Sequence, residues 1–253
     1  MTVTAHGVFD EPAIWRASII DELCLRGEDR QAAASPAPGL PQLSELLVAA
    51  LERAPKGPIV DVGGGLGGLT DRLDRSTART CVLVEPSECS VDAAAQLFPS
   101  IAITRARADA LAVRSNSCGG LVLCGVVSLM VEIESWMSEA RRVLRPGGVL
   151  FVADLWSSST TSIDRPPNRF WSIEALSLHA ARSGFVRREL AVCEPTVGSW
   201  SGAGSMVAER LRRRHRLDDA FAPWEEDQRH LDDVLSSGAV VAGGVTFVRG
   251  SGS

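Results

Sequence analysis

The stretch IVDVGGGLGGLT, residues 59–70, places five glycines within positions 63–68, directly behind an apolar, β-branched run broken only by Asp61. Leu66, Leu69 and Leu73 then recur at helical spacing. A short apolar strand, a glycine turn and an amphipathic helix make the first βα unit of an α/β domain. Glycine at such a junction lets a ligand meet the backbone, and the helix start offers unpaired N–H groups.

Working outward, short β-branched runs at 58–62, 81–84, 101–104, 120–124 and 149–153 alternate with helical patterns. The clearest helix is VEIESWMSEARRVL (131–144), which RPGG (145–148) stops through proline and glycine. FVRRELAVC (185–193) and GVTFVRG (244–250) read as two further strands. Strands that are apolar throughout and separated by helices predict a Rossmann-like α/β fold. Its sheet is mostly parallel and seven-stranded, with helices on both faces.

Residues 1–56 form an N-terminal helical segment, a cap within the same domain, with amphipathic patterns at 11–24 and 42–53 around the breaker-rich AAASPAPGLP. Residues 57–253 form the Rossmann-like domain, including a helical, charged, substrate-covering insert at about 198–243. The basic run RLRRRHR (210–216) is followed by acidic residues, which predicts a solvated, salt-laced helix face.

The net charge of −5 over 253 residues argues against nucleic acid or an anionic membrane as partner. No apolar run reaches the roughly 20 residues of a membrane span, and the N-terminus lacks the basic and apolar regions of a secretory signal. Cysteines at 24, 81, 89, 118, 124 and 193 show no zinc-like spacing. They read as free thiols of a cytoplasmic protein, with no metal site. A small molecule is the expected partner, in a monomer or homodimer.

Gly63, Gly65 and Gly68 satisfy G-x-G-x-x-G, so the turn admits a dinucleotide, whereas a phosphate loop is excluded because no lysine follows. Asp61, at the strand end, would repel a pyrophosphate but suits a ligand bearing an ammonium group. Glu85, at the end of the next strand, can accept hydrogen bonds from ribose hydroxyls of either ligand class. Reductase chemistry built on a Tyr/Lys pair has no residues here: tyrosine is absent, and Lys56 precedes the first strand.

VDVGGGLGG, LVEPS, ADALAV, GLVLCGVVSLM and EARRVLRPGGVLFVAD occur in that order. Together they resemble the class I S-adenosylmethionine-dependent methyltransferases over about residues 57–190. The resemblance implies S-adenosylmethionine as cofactor and S-adenosylhomocysteine as product. It places Asp61 near the methionine amino group, with Gly63, Gly65 and Gly67 lining the methionine and ribose portion. Glu85 would hold the ribose hydroxyls, with Pro86 and Ser87 beside the adenine. Asp109 would meet the adenine amine and Ala110 would donate its N–H to the ring, while Cys124, Gly125 and Val126 would lie near the sulfonium. A loop cap is the alternative for Asp109, and strand packing the alternative for Cys124. CGVVSLM stands where branches acting on nucleobases or glutamine carry an Asn/Asp-Pro-Pro-Tyr stretch, which points to a small-molecule acceptor, with secondary metabolism as a setting.

Trp156 and Trp171 lie where an acceptor pocket would form, with cover of the core edge as the alternative reading. Among the histidines, His179 reads as a packing or surface residue and His215 as solvated. Glu132 and Glu134 follow the fourth strand, but no base is assigned. Two alternatives stay open: an NAD(P)-dependent oxidoreductase on the same turn, and a methyltransferase-like scaffold that binds the cofactor without methyl transfer.

Overall fold

The computed structural model describes residues 7–35, 40–130, 132–193 and 202–251. His6, the middle of the Ala/Pro link and the start of the expected insert lie outside the described residues. The main sheet consists of β1 (Ile59–Val62), β2 (Cys81–Glu85), β3 (Ala102–Arg105), β4 (Cys118–Cys124), β5 (Leu144–Ser157), β8 (Phe185–Cys193) and β9 (Val240–Arg249). Their order is β3-β2-β1-β4-β5-β9-β8. The first five strands are mutually parallel, and β9 runs antiparallel between β5 and β8. This is the mostly parallel, seven-stranded α/β sheet expected from the sequence.

Strand alternation assigns the two faces. Val60, Val62, Leu121 and Leu123 point to one side, where α6 (Ile133–Val143) and α7 (Ile173–Arg182) cover them. Ile59, Val122 and Phe151 point to the other, under α3 (Leu40–Glu52) and α4 (Gly68–Ser76). The α5 helix (Glu88–Leu97) lies against β2 and β3. Asp61 therefore shares the α3/α4 side with Ile59, two residues before it.

β5 departs most from expectation. It runs fourteen residues, not five. β9 pairs with it continuously from Val149 to Ser157 and carries it past Ala153, while at the other end Leu144 pairs with Cys118 of β4. A hairpin of β6 (Ile163–Arg165) and β7 (Asn168–Phe170), unmarked in the sequence reading, follows it.

Helices α1 (Gly7–Glu22), α2 (Gly27–Ala34), α8 (Gly202–His215) and α9 (Phe221–Ser236) complete the described elements. Ile19 and Ile20 of α1, Ala33 and Ala34 of α2, Val207 of α8 and Phe221 and Trp224 of α9 share one buried cluster with Leu66 and α5. Two segments remote in sequence thus assemble one helical cap. The basic run of α8 is laced into it: Arg214 pairs with Glu22, while His215 bonds Asp218 at 2.6 Å and stacks on Trp15 at 4.2 Å. His215 is accordingly largely covered, not solvated as expected.

Candidate active site

β1 and β4 are adjacent while their connections leave in opposite directions, the switch point at which open α/β sheets bind ligands. A cavity of about 540 Å³ opens there, at the carboxyl ends of β1, β2, β4 and β5 and beneath α1 and α9, within the range of small-molecule and cofactor sites.

Asp61 is 1% exposed. Its Oδ2 accepts from the Thr70 hydroxyl at 2.7 Å, while Oδ1 is buried with no partner among the described residues. Burial, reinforced by the nearby Glu85 charge, pushes its pKa up to about 7 despite the Thr70 hydrogen bond. A carboxylate held in this way is set to receive a cation.

The glycine turn is fixed by its neighbours. Gly65, at φ +56, has no atom within 4 Å of where a Cβ would sit, and its N–H donates to Glu85 Oε2 at 3.0 Å. Glu85 Oε1 accepts the Ser87 N–H at 3.0 Å. Ser87 caps α5 by accepting the Ser90 N–H, and its hydroxyl donates to Asp10 of α1, tying the cap to the cavity rim.

Gly63, Gly65, Pro86, Ser87, Asp109, Cys124, Gly125 and Val126 all line the cavity alongside Asp61 and Glu85. Asp109 is bound through both oxygens by Arg107, which holds its carboxyl below the ordinary value. Burial, then the Asp61 charge, keeps the Cys124 thiol protonated.

Four residues nominated from the sequence lie elsewhere. Gly67, at φ +80, starts α4 with its Cα against Ile101, where a Cβ would come within 2.7 Å of Cδ1. The Ala110 N–H, expected to meet the adenine, already donates to the Arg107 carbonyl at 3.1 Å. Trp156 is fully buried in the extended β5 and donates its indole N–H to the Gly243 carbonyl at 2.8 Å. Trp171 packs on the α6/α7 side, with the Arg169 guanidinium 4.3 Å over its ring and His179 edge-on. His179 bonds Glu134 at 2.8 Å on that same side. Of the two glutamates after β4, Glu132 alone lines the cavity.

Several cavity residues escaped the sequence reading. Arg16 of α1 donates to the Ala33 carbonyl at 3.2 Å and has no carboxylate partner among the described residues. Burial and the neighbouring Arg212 charge lower its pKa to about 10. Ser35 Oγ, also without a partner among the described residues, sits against the glycine turn, 2.6 Å from where a Gly68 Cβ would stand. Asp154, at the level of the β4 end on β5, accepts the Ser128 N–H at 3.0 Å and the Leu155 N–H at 2.7 Å. It repeats the strand-end carboxylate pattern of Asp61 and Glu85, a signal the sequence did carry. Trp224, Asp227, Gln228 and Leu231 follow one face of α9 at helical spacing and close the cavity.

A family model described as a methyltransferase domain matches residues 60–152, the span from β1 into β5. That match spans a little over a third of the chain, 93 of its 253 residues. Solved structures share its fold. The cyclopropane synthase MmaA2 from Mycobacterium tuberculosis superposes with a TM-score of 0.71 at 12% identity, covering 98% of this chain and 100% of that one. The [4+2]-cyclase SpnF gives 0.69 at 19% identity, covering 83% and 81%. The geranyl diphosphate C-methyltransferase from Streptomyces coelicolor A3(2), solved with S-adenosyl-L-homocysteine, gives 0.62 at 14% identity over 83% and 77%. No curated protein sequence matches the chain.

Proposed function

We propose that this protein transfers a methyl group from S-adenosylmethionine to a small-molecule acceptor held beneath the cap of α1, α2, α8 and α9, which belongs to the same domain as the sheet. One observation carries the cofactor assignment: Asp61 Oδ1 is buried at the glycine turn with no partner among the described residues, while the cavity wall offers the Ser35 hydroxyl, likewise without a partner there, and the Arg16 guanidinium, which has no carboxylate partner there. An α-amino acid carries an ammonium and a carboxylate, and this wall is complementary to both. A dinucleotide pyrophosphate would meet the Asp61 carboxylate instead.

Glu85 then receives the ribose hydroxyls, and Pro86, Ser87 and Asp109 border the adenine. Asp109 shares its oxygens with Arg107 in doing so. Cys124, Gly125 and Val126 face the sulfonium, with Gly63 and Gly65 beneath the methionine and ribose. Among the described residues, no helix is long and apolar enough to cross a membrane.

When bound, the cofactor supplies an activated methyl. The residues' task is then to align a nucleophile with it, and alignment alone contributes roughly 7–11 kcal/mol in favourable models. Calorimetric titration with S-adenosylmethionine, S-adenosylhomocysteine, NAD and NADP tests the assignment. The first two should bind, and binding should weaken at least tenfold in Asp61→Ala and Glu85→Ala. Binding of NAD or NADP in their place would return the site to the oxidoreductase reading.

A further inference from the structure

The acceptor half of the cavity carries hydrogen-bond acceptors that no protein donor satisfies. Asn168 is 5% exposed and Asp227 is 7% exposed, and both line the cavity. The Oδ1 of each is buried with no partner among the described residues.

The two come from separate elements that meet. Phe170, two residues beyond Asn168 on β7, packs in one cluster with Leu155, Val234 and Leu231, and Leu231 lies one turn beyond Asp227 on α9. Asn168 shares a face of β7 with Phe170 and Asp227 shares a face of α9 with Leu231, so the cluster that holds Phe170 and Leu231 joins the two elements that carry them on the cavity wall. The Asn168 amide is also oriented. The Ser128 hydroxyl hydrogen-bonds Asp154, so it meets Asn168 as an acceptor of the Nδ2–H at 3.5 Å. The Asn168 carbonyl is left facing away from Ser128.

Asp227 Oδ2 accepts from Gln228 at 3.2 Å, and Asp227 has no salt bridge among the described residues. His230, three residues on in α9, lies near enough to favour the charged form of Asp227 without forming an ion pair, and a buried carboxylate that lacks a paired cation is costly unless a ligand supplies one. The charge around the cavity points the same way. Asp61, Glu85, Asp109, Glu132, Asp154 and Asp227 line it against only Arg16 and Arg107, and Arg107 is committed to Asp109. Around Asp227 the wall is apolar and aromatic, formed by Trp224, Leu231 and Leu155.

We infer that the acceptor is an amine on an apolar or aromatic body, its nitrogen docked between Asp227 Oδ1 and Asn168 Oδ1, with Asp227 as the proton acceptor. This rests on the methyl-transfer reading above. The bound ammonium gives one proton to Asp227, which frees the nitrogen lone pair. The N–C bond forms as the C–S bond of the cofactor breaks, and sulfur keeps that electron pair. The product is a methylated ammonium, and Asp227 returns its proton to solvent on product release. Burial raises the proton affinity of Asp227, which favours the first step.

The test is calorimetry on protein saturated with S-adenosylhomocysteine, titrated with benzylamine, benzyl alcohol and benzoate. These probes share one body and differ in head group. Benzylamine should bind at least tenfold more tightly than either of the others. Asp227→Asn should remove that advantage and Asn168→Ala should reduce it severalfold, both with unchanged affinity for S-adenosylhomocysteine. An equal or stronger affinity for the alcohol or the benzoate overturns the proposal, as does absent benzylamine binding or an unaffected Asp227→Asn. Failure of S-adenosylhomocysteine to bind the wild-type protein overturns the cofactor reading instead.

Discussion

The Gly65 N–H donates to Glu85 Oε2 at 3.0 Å, so the residue at the end of β2 holds the glycine turn that follows β1. One carboxylate thus shapes the loop and, on the proposed reading, would receive the ribose. Glu85→Gln keeps the shape but gives up charge and one acceptor, whereas Glu85→Ala removes both. Affinity for S-adenosylmethionine should fall about tenfold in the first and more steeply in the second, since a hydrogen bond to a charged group contributes about 1.5–3 kcal/mol. Calorimetry of both variants checks the order.

On the proposed reading Arg16 meets the carboxylate at the amino-acid end of the cofactor and not its nucleoside. Arg16→Ala should weaken S-adenosylhomocysteine at least tenfold while leaving adenosine within twofold, because only the former has a carboxylate to lose. Equal losses for both ligands would move Arg16 away from the carboxylate role.

Asp61 makes the protein without cofactor pH-sensitive. Burial pushes its pKa from the ordinary 3.8 up to about 7 in the folded protein, so the folded state holds the proton more tightly. Stability therefore falls as pH rises from about 4 to about 7 and stays reduced above that. Asp61→Asn, which can still accept from Thr70, should be the more stable protein at pH 8. The gain should be at most roughly 4 kcal/mol and should vanish near pH 4. Chemical denaturation at the two pH values measures it, and S-adenosylmethionine binding should be lost in the same variant.

Trp156 is a core residue of β5 and lies off the cavity. Trp156→Phe strands the Gly243 carbonyl and leaves a small void, so stability should drop by about 1–3 kcal/mol. Cofactor and amine affinities should stay within twofold. A selective loss of acceptor binding would restore its place in the pocket.

Gly67→Ala must strain a backbone at φ +80 and push Ile101 aside. A cost of about 1–3 kcal/mol is expected from these two effects. The melting temperature should fall while cofactor affinity in the folded fraction is retained, in contrast to substitutions at Glu85.

The sequence by itself determined the sheet and the positions of Asp61, Gly63, Gly65 and Glu85 at the strand ends that border the cavity. Strand and helix periods are local, and Asp61, the glycines and Glu85 are placed by chain positions immediately next to their strands. The acceptor half was decided only by the tertiary structure. Asn168 and Asp227 come from a hairpin and α9, elements whose positions depend on which apolar faces find one another across long sequence separations, and Arg16, on the proposed cofactor side, is brought in from α1 in the same way. The same reason took Trp156 out of the pocket: its burial follows from pairing with β9, almost ninety residues on. Helical spacing did place Trp224, Asp227 and Leu231 on one face of α9, but what that face would cover was fixed only when the cap closed over the sheet.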